Sequence, residues 1–137
     1  MDDVYGTAPL SDGPGREAFA AAYREATGSD PGIFTANAYD AAAIVLLANA
    51  AAGENRGPAV RDHMADVTAE GGTEVLPGDL SEGIRTAAAG DPIHYRGASG
   101  EVTFDENGDV TGVAYEYFSF GDGGVNVLDE VSPEVGQ

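Results

Sequence analysis

The sequence predicts an α/β chain in which, after one short strand, helices precede the remaining strands. Three observations predict it. Segments 11–28, 29–53 and 57–71 carry helix starts and end at Gly28, Gly53 and Gly71. One of them holds the most apolar run of the chain, "AAAIVLLA" at 41–48. After about residue 91, β-branched and aromatic residues take over and flank an Asn107-Gly108 pair, the signal of a hairpin.

The elements are justified in order. "VYGTAPL" (4–10) reads as a short strand ended at Pro9. "SDGPGREAFAAAYREATG" follows, with Ser11 or Asp12 as the expected cap, Pro14 in the first turn and Gly28 at the stop. Phe19 and Tyr23 are four apart and share its inner face. In "SDPGIFTANAYDAAAIVLLANAAAG", Thr35 or Asn37 is the expected cap. Residues 41–52 are apolar nearly all round, so this helix is expected to be buried. "GPAVRDHMADVTAEGG" reads as a third helix with Val60, Met64 and Val67 inward, and "PGDLSEGIRTAAAG" as a shorter fourth with Leu80 and Ile84 inward. The strands "IHYRGASGEVTF" and "VTGVAYEYFSF" flank the expected turn, and "VNVL" adds a short strand near the end. No repeat and no interdomain linker interrupts the 137 residues.

Charge excludes several function classes. The formal net charge is −18, with 24 acidic residues against 6 basic ones, all arginine. Nucleic acid and anionic membrane surfaces would be repelled. The acids are dispersed among apolar periodic segments, which argues for a folded chain. Dispersed acidity without lysine points to a protein built for high salt, where a Debye length of about 3 Å screens the self-repulsion. There is no cysteine, hence no thiol nucleophile, disulfide or thiolate metal site. "MDDVYGTAPL" is acidic where a secretory leader is basic, and the longest apolar run is too short to span a bilayer.

Candidate sites compete with bland alternatives. "FDENGDV" (104–110) places Asp105, Asn107 and Asp109 at calcium-loop spacing, with Glu116 at the twelfth position. Val110 occupies the position that needs a sharp glycine turn, and the flanks are strand-like. A two-residue type I′ turn at Asn107-Gly108 is the preferred reading. Ser99 in "GASG" lacks the second glycine of a nucleophile elbow, because Glu101 stands there. His63 and His94 are the two imidazoles and form no metal motif, so neither a catalytic residue, a metal ligand nor a cofactor is assigned. Phe34, Thr35, Asn37 and Tyr39 gather aromatic and polar groups at the start of the apolar helix, where free N–H groups can favour an anionic ligand.

The order of these segments carries a resemblance. "F-x-x-x-Y-R-E-x-x-G-S-D-P" (19–31) leads into "F-x-x-x-x-Y-D-A" (34–41), then "AVRDHM", then "GASGEVTFDENGDVTGVAYEYF" (97–118). Together these closely resemble the C-terminal part of periplasmic-type substrate-binding proteins of the branched-chain amino acid ABC-transporter family. The resemblance implies a type I periplasmic-binding-protein fold, with helices around a parallel sheet plus a β-hairpin, of which this chain is the C-terminal third. Residues 1–120 would be mostly first-lobe elements, and 121–137 a returning strand and tail. It implies a binding protein without chemistry of its own, taking an amino acid or related small molecule and delivering it to a membrane permease. The setting would be extracellular or cell-surface, with a lipid anchor in the full-length protein. Phe34 would line the ligand cleft, with Asn37 a lesser candidate. A sensor domain of the same fold and a small serine hydrolase using Ser99 and His94 are the alternatives. Without the remaining two-thirds, the apolar helix would lack its cover, so self-association of the isolated chain is expected.

Overall fold

The computed structural model describes residues 4–111, 113–121 and 123–132. In chain order the elements are β1 (Val4–Pro9), α1 (Arg16–Thr27), α2 (Thr35–Ala52), α3 (Gly57–His63), a 3₁₀ turn (Asp66–Thr68), β2 (Thr73–Val75), α4 (Leu80–Ala88), β3 (Ile93–Tyr95), β4 (Thr103–Phe104), β5 (Val110–Thr111), β6 (Tyr115–Gly121) and β7 (Gly124–Val131).

The core forms around one face of α2. Ala36, Asp40, Ala43, Ile44, Leu47 and Ala48 recur at helical spacing and turn inward. Val67, Val75, Ala87, Ile93, Tyr95 and Val102 meet them from the 3₁₀ turn, β2, α4, β3 and the segment after it. Burial of a side chain such as Leu47 contributes about 1.5–3 kcal/mol. The expectation of burial all round is corrected. Val45 and Leu46 are 46% and 50% exposed, because they lie on the face away from α4 and the 3₁₀ turn.

β2 and β3 are parallel, pairing Thr73 with Ile93, Glu74 with His94 and Val75 with Tyr95, with α4 as the connection. Val75 and Tyr95 enter the core, while Glu74 and His94 point the other way, as the strand period requires. At Gly83 a Cβ would lie 2.6 Å from Val75 Cγ1, so glycine lets α4 approach this pair closely. Strand β2 was not foreseen. The four residues between Gly72 and Pro77 are too few to show an alternation.

The other sheet has the order β1-β6-β7 and is antiparallel throughout. Register runs from Val4↔Phe120 to Pro9↔Tyr115, and from Gly121↔Gly124 to Tyr115↔Val131, with an irregularity between Tyr117 and Phe118. The last strand is longer than "VNVL" alone. Tyr5 stacks on Tyr117, with ring centroids 5.8 Å apart. Val4, Tyr5, Tyr117, Phe120, Val125, Val127, Leu128 and Val131 stay between 37% and 55% exposed.

β4 and β5 form the expected hairpin, Thr103↔Thr111 and Phe104↔Val110, but "IHY" and "YEYFSFG" leave it as β3 and β6 for the other two sheets, and its turn differs. Only Gly108 has positive φ (86°); Asn107 does not. Gly108 N–H donates to the Asp105 carbonyl at 3.0 Å and Asp105 N–H to the Asp109 carbonyl at 2.9 Å. This is a three-residue loop whose left-handed glycine closes a bulge.

One helix start and one helix end also differ from expectation. Gly15, not Ser11 or Asp12, precedes α1, and no side chain caps it. The third helix is shorter than its periodicity suggests. It ends at His63, and the 3₁₀ turn carries Val67 into the core while Thr68 donates its hydroxyl to the Ala65 carbonyl at 3.1 Å.

Candidate functional site

The head of α2 is where the sequence candidates fall. Phe34 occupies the N-cap position with φ 67° and ψ −4°, the only non-glycine residue with positive φ among those described. A bulky residue in this region is strained by about 1–3 kcal/mol, and such strain concentrates at functional sites. Its side chain is 59% exposed, beside an Ile33 that is 65% exposed. Thr35 is not the cap. Its hydroxyl donates back to the Gly32 carbonyl at 2.6 Å. Asn37 lies half-buried in the first turn, and its Oδ1 is buried without a hydrogen-bond donor among the described residues. Phe34 and Asn37 therefore share one turn, the first facing out and the second partly in.

Next to this turn lies a cavity of about 320 Å³. Ser11 comes from the α1 approach, Arg16 and Phe19 from α1 itself, Asp30 and Gly32 from the connection, and Thr35 from α2. Arg24 also lines it and pairs with Asp30. Phe19 is buried, and its ring lies 5.1 Å from that of Tyr39 and 5.7 Å from that of Tyr23.

A buried carboxylate holds these walls together. Asp40 is 2% exposed. Its Oδ1 accepts from the Tyr95 hydroxyl at 2.7 Å and Ala98 N–H at 2.9 Å, and its Oδ2 accepts from Ser99 N–H at 2.7 Å and Ser99 Oγ at 2.5 Å. The two sequence segments "YDA" and "GASG" are thus joined through one side chain. Gly97 is required there, since a Cβ would lie 2.4 Å from Asp40 Oδ2. The same loop accepts from the approach to α1: Asp12 N–H to Ser99 O at 3.2 Å, Gly13 N–H to Ala98 O at 3.2 Å and Gly15 N–H to Gly97 O at 3.0 Å. Asp40 fixes the "GASG" loop, the loop fixes 11–15, and that segment carries Ser11 and leads into Arg16. Burial, then the bond to Asp40, raises the Tyr95 phenol far above its ordinary range. Burial and the charge of Asp40 also raise Tyr39, whose hydroxyl donates to the Pro77 carbonyl at 2.7 Å.

The other candidates take structural places. Ser99 bonds to Asp40, while His94 lines a separate concavity with Glu70, Glu74, Arg96 and Glu101, so the pair named for a hydrolase does not share a site. His63 Nδ1 lies 2.8 Å from the Ala59 carbonyl within α3. Asp105 Oδ1 accepts from the Asn107 and Asp109 N–H groups at 2.8 and 2.9 Å. These backbone donors, Asp109 first, hold its carboxyl below the usual range. Glu116 is in β6 opposite Ala8 and Glu130, away from that turn in the ladder. Among the described residues no three His, Asp or Glu side chains gather as a metal site.

The chain matches no described protein family and no curated protein. Among solved structures it is similar to the leucine-binding protein LivK of Thermotoga maritima, with a TM-score of 0.65 and 20% identity. The chain has part of a type I periplasmic-binding-protein fold. The match takes in 97% of the chain and 32% of that protein, so the chain spans about a third of its length. Asp40 in its bonding role had one visible sequence signal, the "YDA" segment. The Arg16 cavity had none, because its lining comes from four separated stretches.

Proposed function

We propose that the chain is the C-terminal portion of a solute-binding protein that holds a small amino-acid-like molecule between two lobes. The likeness in fold to a leucine-binding protein over 97% of the chain carries this reading. The motif order "YDA"…"GASG"…"FDENGDV" supports it, since two of those segments meet at Asp40. Phe34 is the proposed apolar wall, exposed and held in a strained backbone state at the head of α2. Asn37, with its unpartnered Oδ1, is the proposed polar neighbour. Residues 1–120 belong mostly to the first lobe on this reading, and the tail from 121 returns toward the second. Affinity comes from lobe closure over the ligand. The partner is the membrane permease of an ABC transporter, and the setting is extracellular or cell-surface, lipid-anchored in the full-length protein and adapted to high salt.

The test is a thermal-shift screen of the twenty amino acids against the complete reading frame that contains this chain, in molar KCl, followed by calorimetry. A ligand at a hundred times its Kd stabilises the folded state by about 2.7 kcal/mol. Branched-chain or related amino acids are expected to raise the midpoint. A flat screen with no calorimetric heat would reject the reading, and unchanged affinity in Phe34→Ala would remove Phe34 from the wall.

A further inference from the structure

The cavity beside the α2 turn differs in charge from its surroundings. Two guanidiniums, Arg16 and Arg24, and a single carboxylate, Asp30, line it. The chain as a whole carries −18. Three other concavities of the described residues are acidic. One sets Glu70, Glu74 and Glu101 against Arg96; another has Asp66 and Asp91; the third has Glu116.

Arginine pairing sharpens the contrast. Arg24, Arg56, Arg61, Arg85 and Arg96 each pair with one or two carboxylates. Arg16 is the only one of the six arginines without a carboxylate partner among the described residues. In a chain with 24 acids, a cation left without one stands ready for an anion from outside. Arg24 is satisfied by Asp30, so the charge available to a ligand belongs to Arg16.

We propose that Arg16 binds the carboxylate of a small ligand whose apolar body rests on Phe19 and its neighbouring alanines. A guanidinium offers a planar fork of donors that matches a carboxylate. The buried Phe19 ring, Ala20 and Ala36 supply the apolar surface, and Ser11 puts a hydroxyl on the wall. A volume of about 320 Å³ suits an amino-acid-sized molecule. The inference rests on the solute-binding reading and deepens it: it names the acid group as the recognised feature and a residue outside the Phe34–Asn37 turn as its anchor.

The experiment is NMR titration of the chain in molar KCl with L-leucine, isovalerate and leucinamide. Leucine and isovalerate carry the carboxylate; leucinamide replaces it with a neutral amide. Leucine and isovalerate are expected to move the Arg16 Nε–H signal and the Ala20 and Ala36 amides, and leucinamide is not. Arg16→Gln removes a charge-assisted pair, worth roughly tenfold to hundredfold in affinity. Arg85→Gln, on α4 and paired with Glu82, is the control and leaves affinity unchanged. Shifts confined to Ile33, Phe34 and Asn37, or equal affinity in Arg16→Gln, would overturn the Arg16 anchor while leaving the solute-binding reading in place. No shift with any of the three compounds would overturn the anchor as well.

Discussion

Tyr95 donates its hydroxyl to Asp40 Oδ1 at 2.7 Å, across 55 positions of sequence, and both side chains are buried. Three further donors from Ala98 and Ser99 complete the carboxylate's shell. A buried charge is tolerated only when paired or hydrogen-bonded in this way. Asp40→Ala is therefore expected to cost more than about 3 kcal/mol, since it orphans two hydroxyls and two amides at about 1–3 kcal/mol each. Tyr95→Phe removes one donor and should cost about 1–3 kcal/mol. Urea denaturation in molar salt measures both. A loss below 1 kcal/mol in Asp40→Ala would show that the loop does not depend on it.

The same bond sets an alkaline limit. Burial and Asp40 raise the Tyr95 phenol above its unfolded value of 10.0. Above about pH 10 the unfolded chain releases the proton while the folded chain keeps it, so folding becomes less favourable as pH rises. Below that value the contribution is fully present. Tyr95→Phe should flatten the fall in stability between about pH 10 and 11.5, measured as denaturation midpoints against pH. An unchanged slope in the variant would contradict the assignment.

Net charge predicts a salt dependence. With 24 acids against 6 arginines, most carboxylates have no cation nearby. Their repulsion is screened within about 10 Å at 0.1 M salt and about 3 Å at 1 M. The thermal midpoint should rise continuously from dilute buffer to molar KCl. A midpoint independent of KCl would show that the charges are already balanced by their placement.

Sequence and structure agree where local chemistry dominates. The stops at Gly28 and Gly53 are left-handed glycines, as their positions imply. The hairpin is where Asn107-Gly108 places it, although the turn uses only one positive φ because Asp105 draws the backbone amides of Asn107 and Asp109 onto its own side chain. The local pattern marked the start of α2, but not its cap. A Thr or Asn cap is the local preference; the structure instead places Phe34 there in a strained state. Burial of α2 was overstated because periodicity says how apolar a face is, and cannot say whether another element covers it. Strand β2 depends on pairing with β3 some twenty residues on, and the Arg16 cavity on how α1 packs against the head of α2, which no local pattern encodes.

Phe34 itself offers the last test, because its backbone and side chain are expected to pull in opposite directions. The positive φ at this N-cap costs a bulky residue free energy that glycine does not spend. Phe34→Gly should relieve that strain and, with the side chain already 59% exposed, lose little packing. Glycine's extra freedom in the unfolded chain offsets part of the gain. The net effect should be a stabilisation of up to about 1 kcal/mol. On the proposed function the same substitution removes the apolar wall and should weaken amino-acid binding by about tenfold, the loss of a partly buried aromatic contact. Denaturation and calorimetry on one pair of proteins separate the two effects. Stabilisation with weaker binding would mean that the strain serves the site. Destabilisation with unchanged binding would mean that Phe34 serves only the packing of the turn.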